Sequence, residues 1–380
     1  MSQFLTPLLL LIAALVSVTS VSADNHRFKV GVIAPLSGPL AEYGVSVKNG
    51  FELARTEKPE LFSNIDLKFE DDQYDGKKSI AAFNKLREVD AVDLVYLWGT
   101  GPSQAIAPIA ESRNYPLVIM SIDPSPGLDR RWVIRFGNYS EQYILTLLSY
   151  LRSNGVKSIG LLRTELGYTN SMVDALHANL LPGESISEIV ALQPGDTDLK
   201  AAIARLHGKQ FDALAIYLMS GQIAQFYREA SGRYSAKVSF GTDFFESMSE
   251  VRSAGPGMNE AIFPNNAVEP WFAERYQATF GNDNQITFAA NAYDFAILAA
   301  ETFGSKTERH YSPEDILATL RSVQPRLGAS GKYSFQESDK GGQYFEFPIV
   351  IRKIQGDKIV TVAQNKRLDG SATRREFSGN

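Results

Sequence analysis

The sequence predicts an α/β protein with two doubly wound parallel sheets. Short apolar runs alternate with amphipathic helical stretches over residues 30–137 and again over 157–243. Repeated βα units of this kind make parallel sheets covered by helices on both faces. Beyond residue 332 the pattern changes to strands with no helix between them. Such closing strands can return to either sheet, which makes a discontinuous two-lobe arrangement the natural reading. The 380 residues suffice for two or three domains, and an apolar content of 44% supplies an ordinary core.

Residues 1–23 read as a signal peptide. Leu8–Val18 is an apolar run too short to span a bilayer. Val21-Ser22-Ala23 follows in a small-residue cleavage pattern, and then the polar Asp24-Asn25-His26. No Lys or Arg precedes the run, so only the amino terminus supplies positive charge. The alternative is a buried N-terminal helix. Cleavage after Ala23 would leave a soluble mature protein outside the cytoplasm, most naturally in the periplasm. With no cysteine there is no lipid-attachment site.

The first sheet opens with Phe28–Ala34, bounded by Pro35. Val47, Phe51 and Ala54 recur at helical spacing. Ile65, Leu67 and Phe69 alternate with polar residues as a half-exposed strand does. Ile80 and Phe83 mark a helix, Val92–Leu97 a strand, Ser103–Arg113 a helix and Leu117–Ser121 a strand. Pro108 lacks an N–H and is expected to open or kink its helix. In the second half, Tyr143, Leu147, Tyr150 and Leu151 form a helical stripe ending at Gly155, followed by a strand at Ser158–Leu162. Leu199, Ile203 and Leu206 form a helix that Asp196-Thr197 is expected to cap. Ala213–Leu218 and Val238–Phe240 read as strands, and so do Lys332–Phe335, Tyr344–Ile354 and Lys358–Ala363.

Several chemistries are excluded. A net charge of −5 with interspersed signs does not suit nucleic acid. The absence of cysteine removes thiolate nucleophiles, disulfides and Cys-based metal sites. His26, His177, His207 and His310 lack any metal-binding spacing, and there is no GxSxG elbow or P-loop. Gly99-Thr100-Gly101 lacks the third glycine of a dinucleotide fingerprint, because Gln104 stands there. Asp71, Asp72 and Asp75 admit a metal, but a solvated turn fits them better. Asn138-Tyr139-Ser140 is a glycosylation sequon by pattern only.

The remaining constellation lies in loops that follow predicted strands, where doubly wound sheets bind ligands. These are Pro35–Gly44 with Tyr43, Trp98–Ser103 with Thr100 and Gly101, and Ser121–Pro124 with Asp123. In the second half they are Gly167-Tyr168-Thr169, Met219-Ser220-Gly221 and Gly241-Thr242-Asp243. The Trp98–Ser103 loop opens a helix, whose free N–H groups and positive dipole end suit a carboxylate. Trp98 offers either a cleft wall or packing between sheet and helix.

Val30 to Gly44 (VGVIAPLSGPLAEYG) and the helix containing Gly50 resemble the opening of the leucine/isoleucine/valine-binding protein family. These are the type I periplasmic receptors of branched-chain amino-acid ABC transporters. The resemblance continues at Asp71-Asp72, Ser103–Glu111, Tyr115–Pro126, Gly167-Tyr168 and Gly331–Phe335, over nearly the whole mature chain. It implies two α/β lobes joined by three crossover strands, with ligand between them. The lobes would be 24–138 plus 267–347 and 139–266 plus 348–380. Thr100 matches the hydroxyl residue that holds a ligand carboxylate, Tyr43 and Tyr168 match cleft tyrosines, and Asp243 matches the acid that pairs with a ligand ammonium. Two positions depart: the second carboxylate-binding hydroxyl falls on Ile122, Asp123 or Pro124, and a further acid falls on Tyr139. These departures point away from the standard branched-chain ligands, toward an aromatic or larger one. The implied partners are a small amino acid, amide or aromatic carboxylate and the permease subunits of an ABC importer, with no cofactor and no catalysis. A ligand-sensing subunit of a signalling system and an exported enzyme are the rival readings.

Overall fold

The computed structural model describes residues 27–304, 311–339 and 341–364. The first half of the chain contains β1 (Phe28–Ala34), α1 (Ala41–Glu57), β2 (Ile65–Asp71), α2 (Gly76–Glu88), β3 (Leu94–Trp98), α3 (Thr100–Ser112), β4 (Leu117–Met120) and β5 (Val133–Phe136). There follow α4 (Ser140–Ser153), β6 (Ser158–Thr164), α5 (Gly167–Ala178), β7 (Ser185–Leu192), α6 (Lys200–Leu206), β8 (Gln210–Tyr217), α7 (Gln222–Ala230) and β9 (Ser235–Phe240). A 3₁₀ turn (Asp243–Glu246) leads into α8 (Met248–Ala254) and β10 (Ile262–Asn266). The rest comprises α9 (Pro270–Phe280), α10 (Ile286–Phe303), α11 (Pro313–Arg321), β11 (Arg326–Gly328), β12 (Gly331–Glu337), β13 (Gln343–Glu346), β14 (Ile349–Gln355) and β15 (Lys358–Gln364).

These strands form two sheets. One has the order β11-β12-β13-β5-β4-β3-β1-β2, the other β15-β14-β10-β9-β8-β6-β7. Pairing among β1–β5 and among β6–β9 is parallel, while β12, β14 and β15 add antiparallel partners at the far edges. The chain direction across each sheet reverses at one place, between β1 and β3 in the first and between β6 and β8 in the second. Loops diverge there and leave a crevice for a ligand.

The burial patterns explain the elements. β3 is buried at every position, as a central parallel strand with helices on both faces must be. β2, at an edge, is only half-buried. α1 packs on α10 so closely that a side chain at Gly50 would run into the Ala289 carbonyl. α10 is buried over almost its whole length. No helix among the described residues is long and apolar enough to cross a membrane. The expected signal peptide lies outside the described residues.

Local expectations differ in three places. α3 begins at Thr100, not Ser103, and continues through Pro108 as one helix. α6 starts only at Lys200, with Leu199 at its N-cap, so Asp196-Thr197 does not cap it. The run Tyr344–Ile354 is two strands split at Pro348: β13 pairs with β5 in one sheet and β14 with β10 in the other. Proline, with no N–H for a ladder, stands where the chain changes sheets.

The chain passes between the sheets near residues 137–139, 267–269 and 347–348. A hydrogen-bond network ties these passages together. The Asn138 amide donates to Phe347 O (3.0 Å) and to Asn266 Oδ1 (2.8 Å), and Phe347 N donates to Asn138 Oδ1 (3.1 Å). Beside it, the buried Arg352 guanidinium pairs with Glu246, which also accepts from Thr287 Oγ1 at the start of α10 (2.9 Å).

Candidate functional site

The carboxyl ends of the two sheets face one another across a cavity of about 520 Å³ of non-atom space, its mouth included. The first lobe contributes Tyr74, Trp98, Gly99, Thr100, Met120, Ser121, Ile122 and Phe288. The second contributes Tyr168, Asp243 and Phe244. Gly137, Asn138, Tyr143, Asn265 and Asn266 close the side where the chain crosses between sheets.

The polar end on the first lobe is the start of α3. Gly99 holds φ +104°, which only glycine adopts without strain, and its Cα lies against the Tyr74 ring. The N–H groups of Thr100 and Gly101 at the start of α3 have no partner within the helix, and Gly101 N donates toward Tyr74 OH (3.5 Å). Thr100 Oγ1 lies 3.1 Å from Ser121 Oγ. Two hydroxyls and a helix N-terminus thus converge on one spot, and together they attract an anion.

Tyr74 reaches the cavity by a strained route. It has φ +58°, and the buried Asp72 accepts from its N–H at 2.9 Å. Asp71 accepts from Leu36 N and Gln73 N, and Asp75 caps α2. The acidic group is therefore turn and cap chemistry.

The second lobe answers with a carboxylate. Asp243 opens its 3₁₀ turn, while capping falls to Thr242, which accepts from Phe244 N. The Asp243 carboxyl accepts a short hydrogen bond from Tyr168 OH. Removal from water raises its pKa to about 6, partly offset by the Tyr168 hydrogen bond. Of the lining residues Asp243 is the only carboxylate, and none is Lys, Arg or His. The walls between are aromatic: Tyr74 and Trp98 lie 5.6 Å apart by ring centroid, Trp98 and Phe288 5.4 Å, and Tyr168 and Phe244 5.0 Å.

The profile of the periplasmic binding proteins matches residues 27–356. The chain belongs to that family. It is 28% identical to the Leu/Ile/Val-binding protein BraC3 of Rhizobium johnstonii over 197 residues, 49% of this chain and 53% of that one. The match thus spans about half the length of the curated relative. Among solved structures, the leucine-binding protein LivK of Thermotoga maritima superimposes with a TM-score of 0.75 at 20% identity, covering 89% of this chain and 98% of LivK. A solute-binding protein of an ABC transporter from R. palustris, in complex with benzoate, gives 0.74 at 17% identity over 89% and 96%. The fold is that of type I periplasmic solute-binding proteins.

In this periplasmic binding protein Trp98, Thr100, Tyr168 and Asp243 line the cavity together. Tyr43 and Ser220 lie just behind, joined across the lobes by a 3.0 Å hydrogen bond, with the Tyr43 ring against Trp98 and Phe244. Met219 is half-buried beside Ser220, and Gly101 lies under the Tyr74 ring. None of Tyr43, Ser220, Met219 and Gly101 is itself a lining residue, and three further side chains are engaged elsewhere. Ser103 Oγ is turned back onto Gly99 O (2.7 Å). Asp123 is taken up by Gln104 (2.6 Å) and Ser125 (2.8 Å). The Tyr139 ring packs on the Arg135 guanidinium (4.1 Å) and on Tyr344 (4.8 Å).

Tyr74, Tyr143, Asn265, Asn266, Phe244 and Phe288 also line the cavity, although the sequence does not mark them as site residues. Phe244 is signalled only by its place next to Asp243. Asn138 stands out in the sequence only as part of a sequon. Tyr143 sits on a helix stripe that reads as core, and nothing local marks Asn266.

Proposed function

We propose that this periplasmic binding protein is the exported solute receptor of an ABC importer, closing its two lobes on a small amino-acid-like zwitterion. One observation carries the reading: donors for an anion, at Thr100, Ser121 and the start of α3, oppose a single carboxylate, Asp243, with no basic residue between. A lone anion sealed beside an ionised Asp243 would be repelled, and a lone cation would leave the helix end unanswered. A zwitterion satisfies both ends. The lobes would be 24–138 plus 267–347 and 139–266 plus 348–380, with permease subunits receiving the ligand. The curated relative's Leu/Ile/Val-binding name agrees with this class of ligand.

A second reading, an aromatic carboxylate, has its own support. The cavity walls are Tyr, Trp and Phe, and a pKa near 6 lets Asp243 become a protonated donor. The benzoate complex of a structural neighbour fits that ligand class.

Calorimetry on Asp243→Asn at pH 8 separates the two. Asn keeps the shape and removes the charge. A zwitterion should bind the variant at least about tenfold more weakly, roughly 1.4 kcal/mol. Equal or tighter binding, with benzoates as the preferred ligands, refutes the ammonium role.

A further inference from the structure

Asn266 stands at the last position of β10, where the chain is about to change lobes, and is 1% exposed. The residue lines the cavity, and its buried Nδ2 has no hydrogen-bond partner among the described residues. Every other polar atom of the residue is engaged. Asn266 N donates to Asn265 Oδ1 (2.9 Å), and Arg352 Nη2 donates to Asn266 O (3.2 Å). Oδ1 accepts twice, from Asn138 Nδ2 and from Tyr143 OH, each at 2.8 Å.

The Asn138 donor fixes which end of the amide is which. A flipped Asn266 would set its NH₂ against that of Asn138, which can only donate. Asn138 cannot flip to relieve it, because Phe347 N requires its oxygen and Phe347 O requires its nitrogen. The backbone of the third crossover therefore dictates the orientation of Asn138, and Asn138 that of Asn266. What remains is a buried, unpaired amide N–H₂ on a residue that lines the cavity, its orientation fixed through groups on all three crossovers. A donor left dry is costly, and a site that contains one discriminates against ligands unable to pair it.

We propose that Asn266 is a specificity-determining residue that reads a hydrogen-bond acceptor on the ligand, distinct from the ends held at Thr100 and Asp243. The ligand class is thereby narrowed to molecules carrying a third polar group, an ether, carbonyl or hydroxyl oxygen, and plain aliphatic amino acids are disfavoured. This rests on the cavity as the ligand site, and extends the reading of its two charged ends.

The test uses isosteric pairs that differ only by an acceptor oxygen in place of a methylene. O-methyl-L-serine is compared with L-norvaline, and 4-methoxybenzoate with 4-ethylbenzoate, by calorimetry on the full mature protein. The ether should bind at least about tenfold tighter than its hydrocarbon twin, the discrimination a buried donor imposes. Asn266→Asp keeps an acceptor for Asn138 and Tyr143 but turns the donor into an oxygen, so it should reverse the preference. Asn266→Leu should do the same if it folds; the Asp variant and the parent comparison do not depend on it. An ether preference confined to the benzoates supports Asn266 and refutes the zwitterion reading. A hydrocarbon twin that binds the parent as well as its ether overturns the Asn266 assignment and leaves the zwitterion reading standing. Failure of all four to bind at millimolar concentration overturns both.

Discussion

Lowering the pH from 8 to 5 should weaken the binding of an amino acid about tenfold. The reasoning runs through Asp243, whose pKa in the unliganded cavity is about 6. An ammonium needs the ionised carboxylate. At pH 8 nearly all the protein has it; at pH 5 about one molecule in eleven does, so the affinity falls by about 1.4 kcal/mol. The aromatic-carboxylate reading has the opposite sign. It needs the protonated form, which rises from about one per cent at pH 8 to about nine-tenths at pH 5, improving affinity on the order of a hundredfold. Calorimetry across this range with a ligand that does not itself titrate there measures the slope. Asp243→Asn should flatten it. A zwitterion whose affinity is constant or rises as the pH falls would refute the assignment of Asp243 to the ligand ammonium.

The other predictions are independent of that slope. Asp243 has a raised pKa in the folded state, so its contribution to stability is fully present below the unfolded value of 3.8 and lost as pH rises through about 6. Unliganded Asp243→Asn should therefore melt higher than the parent at pH 8, by at most about 3 kcal/mol and less for a partly exposed carboxyl, with no gain near pH 3; an unchanged melting temperature at pH 8 contradicts the burial cost. Arg352→Met strands the buried Glu246 carboxylate and should cost about 3–5 kcal/mol in urea unfolding, whereas a loss under 1 kcal/mol would mean the pair is not needed. Ligand at saturation should shrink the radius of gyration in small-angle scattering, because it touches both lobes, and no change counts against closure. The intact mass of the exported protein should correspond to a chain beginning at Asp24; retention of Leu8–Val18 refutes cleavage after Ala23.

What the sequence made legible is what periodicity and loop chemistry encode. β1, β3 and β4 are apolar runs, and the loops after them carry Trp98, Thr100 and Ser121, so the polar end at α3 could be found from order alone. Asp243 was marked by its place after a short strand. Trp98 and Tyr168 apart, the aromatic and amide walls are not legible because long-range geometry delivers them. Tyr74 arrives through a left-handed backbone that Asp72 stabilises, and Phe288 arrives on a helix some 190 residues from Trp98. Asn266 depends on Asn138 and Phe347, residues that meet only where the chain changes lobes. Asp123 and Tyr139 failed to reach the cavity for a related reason. Each stands on a suitable loop but finds a nearer partner, Gln104 and Ser125 for the acid and Arg135 for the ring. Loop position predicts proximity to a site, whereas side-chain direction is settled by neighbours the sequence does not reveal.

The central claim is that the cavity holds both charged ends of one ligand at once, and a thermal-shift comparison of a zwitterion with its two halves tests it most directly. L-Leucine and O-methyl-L-serine would be set against their deaminated acids and decarboxylated amines at equal concentration and pH 8. A ligand that binds only the folded state at a hundred times its Kd adds about 2.7 kcal/mol of stability. The account predicts that at least one of the zwitterions, the ether foremost, raises the melting temperature while neither of its halves does. A deaminated acid that stabilises the protein as strongly as the parent amino acid would contradict it.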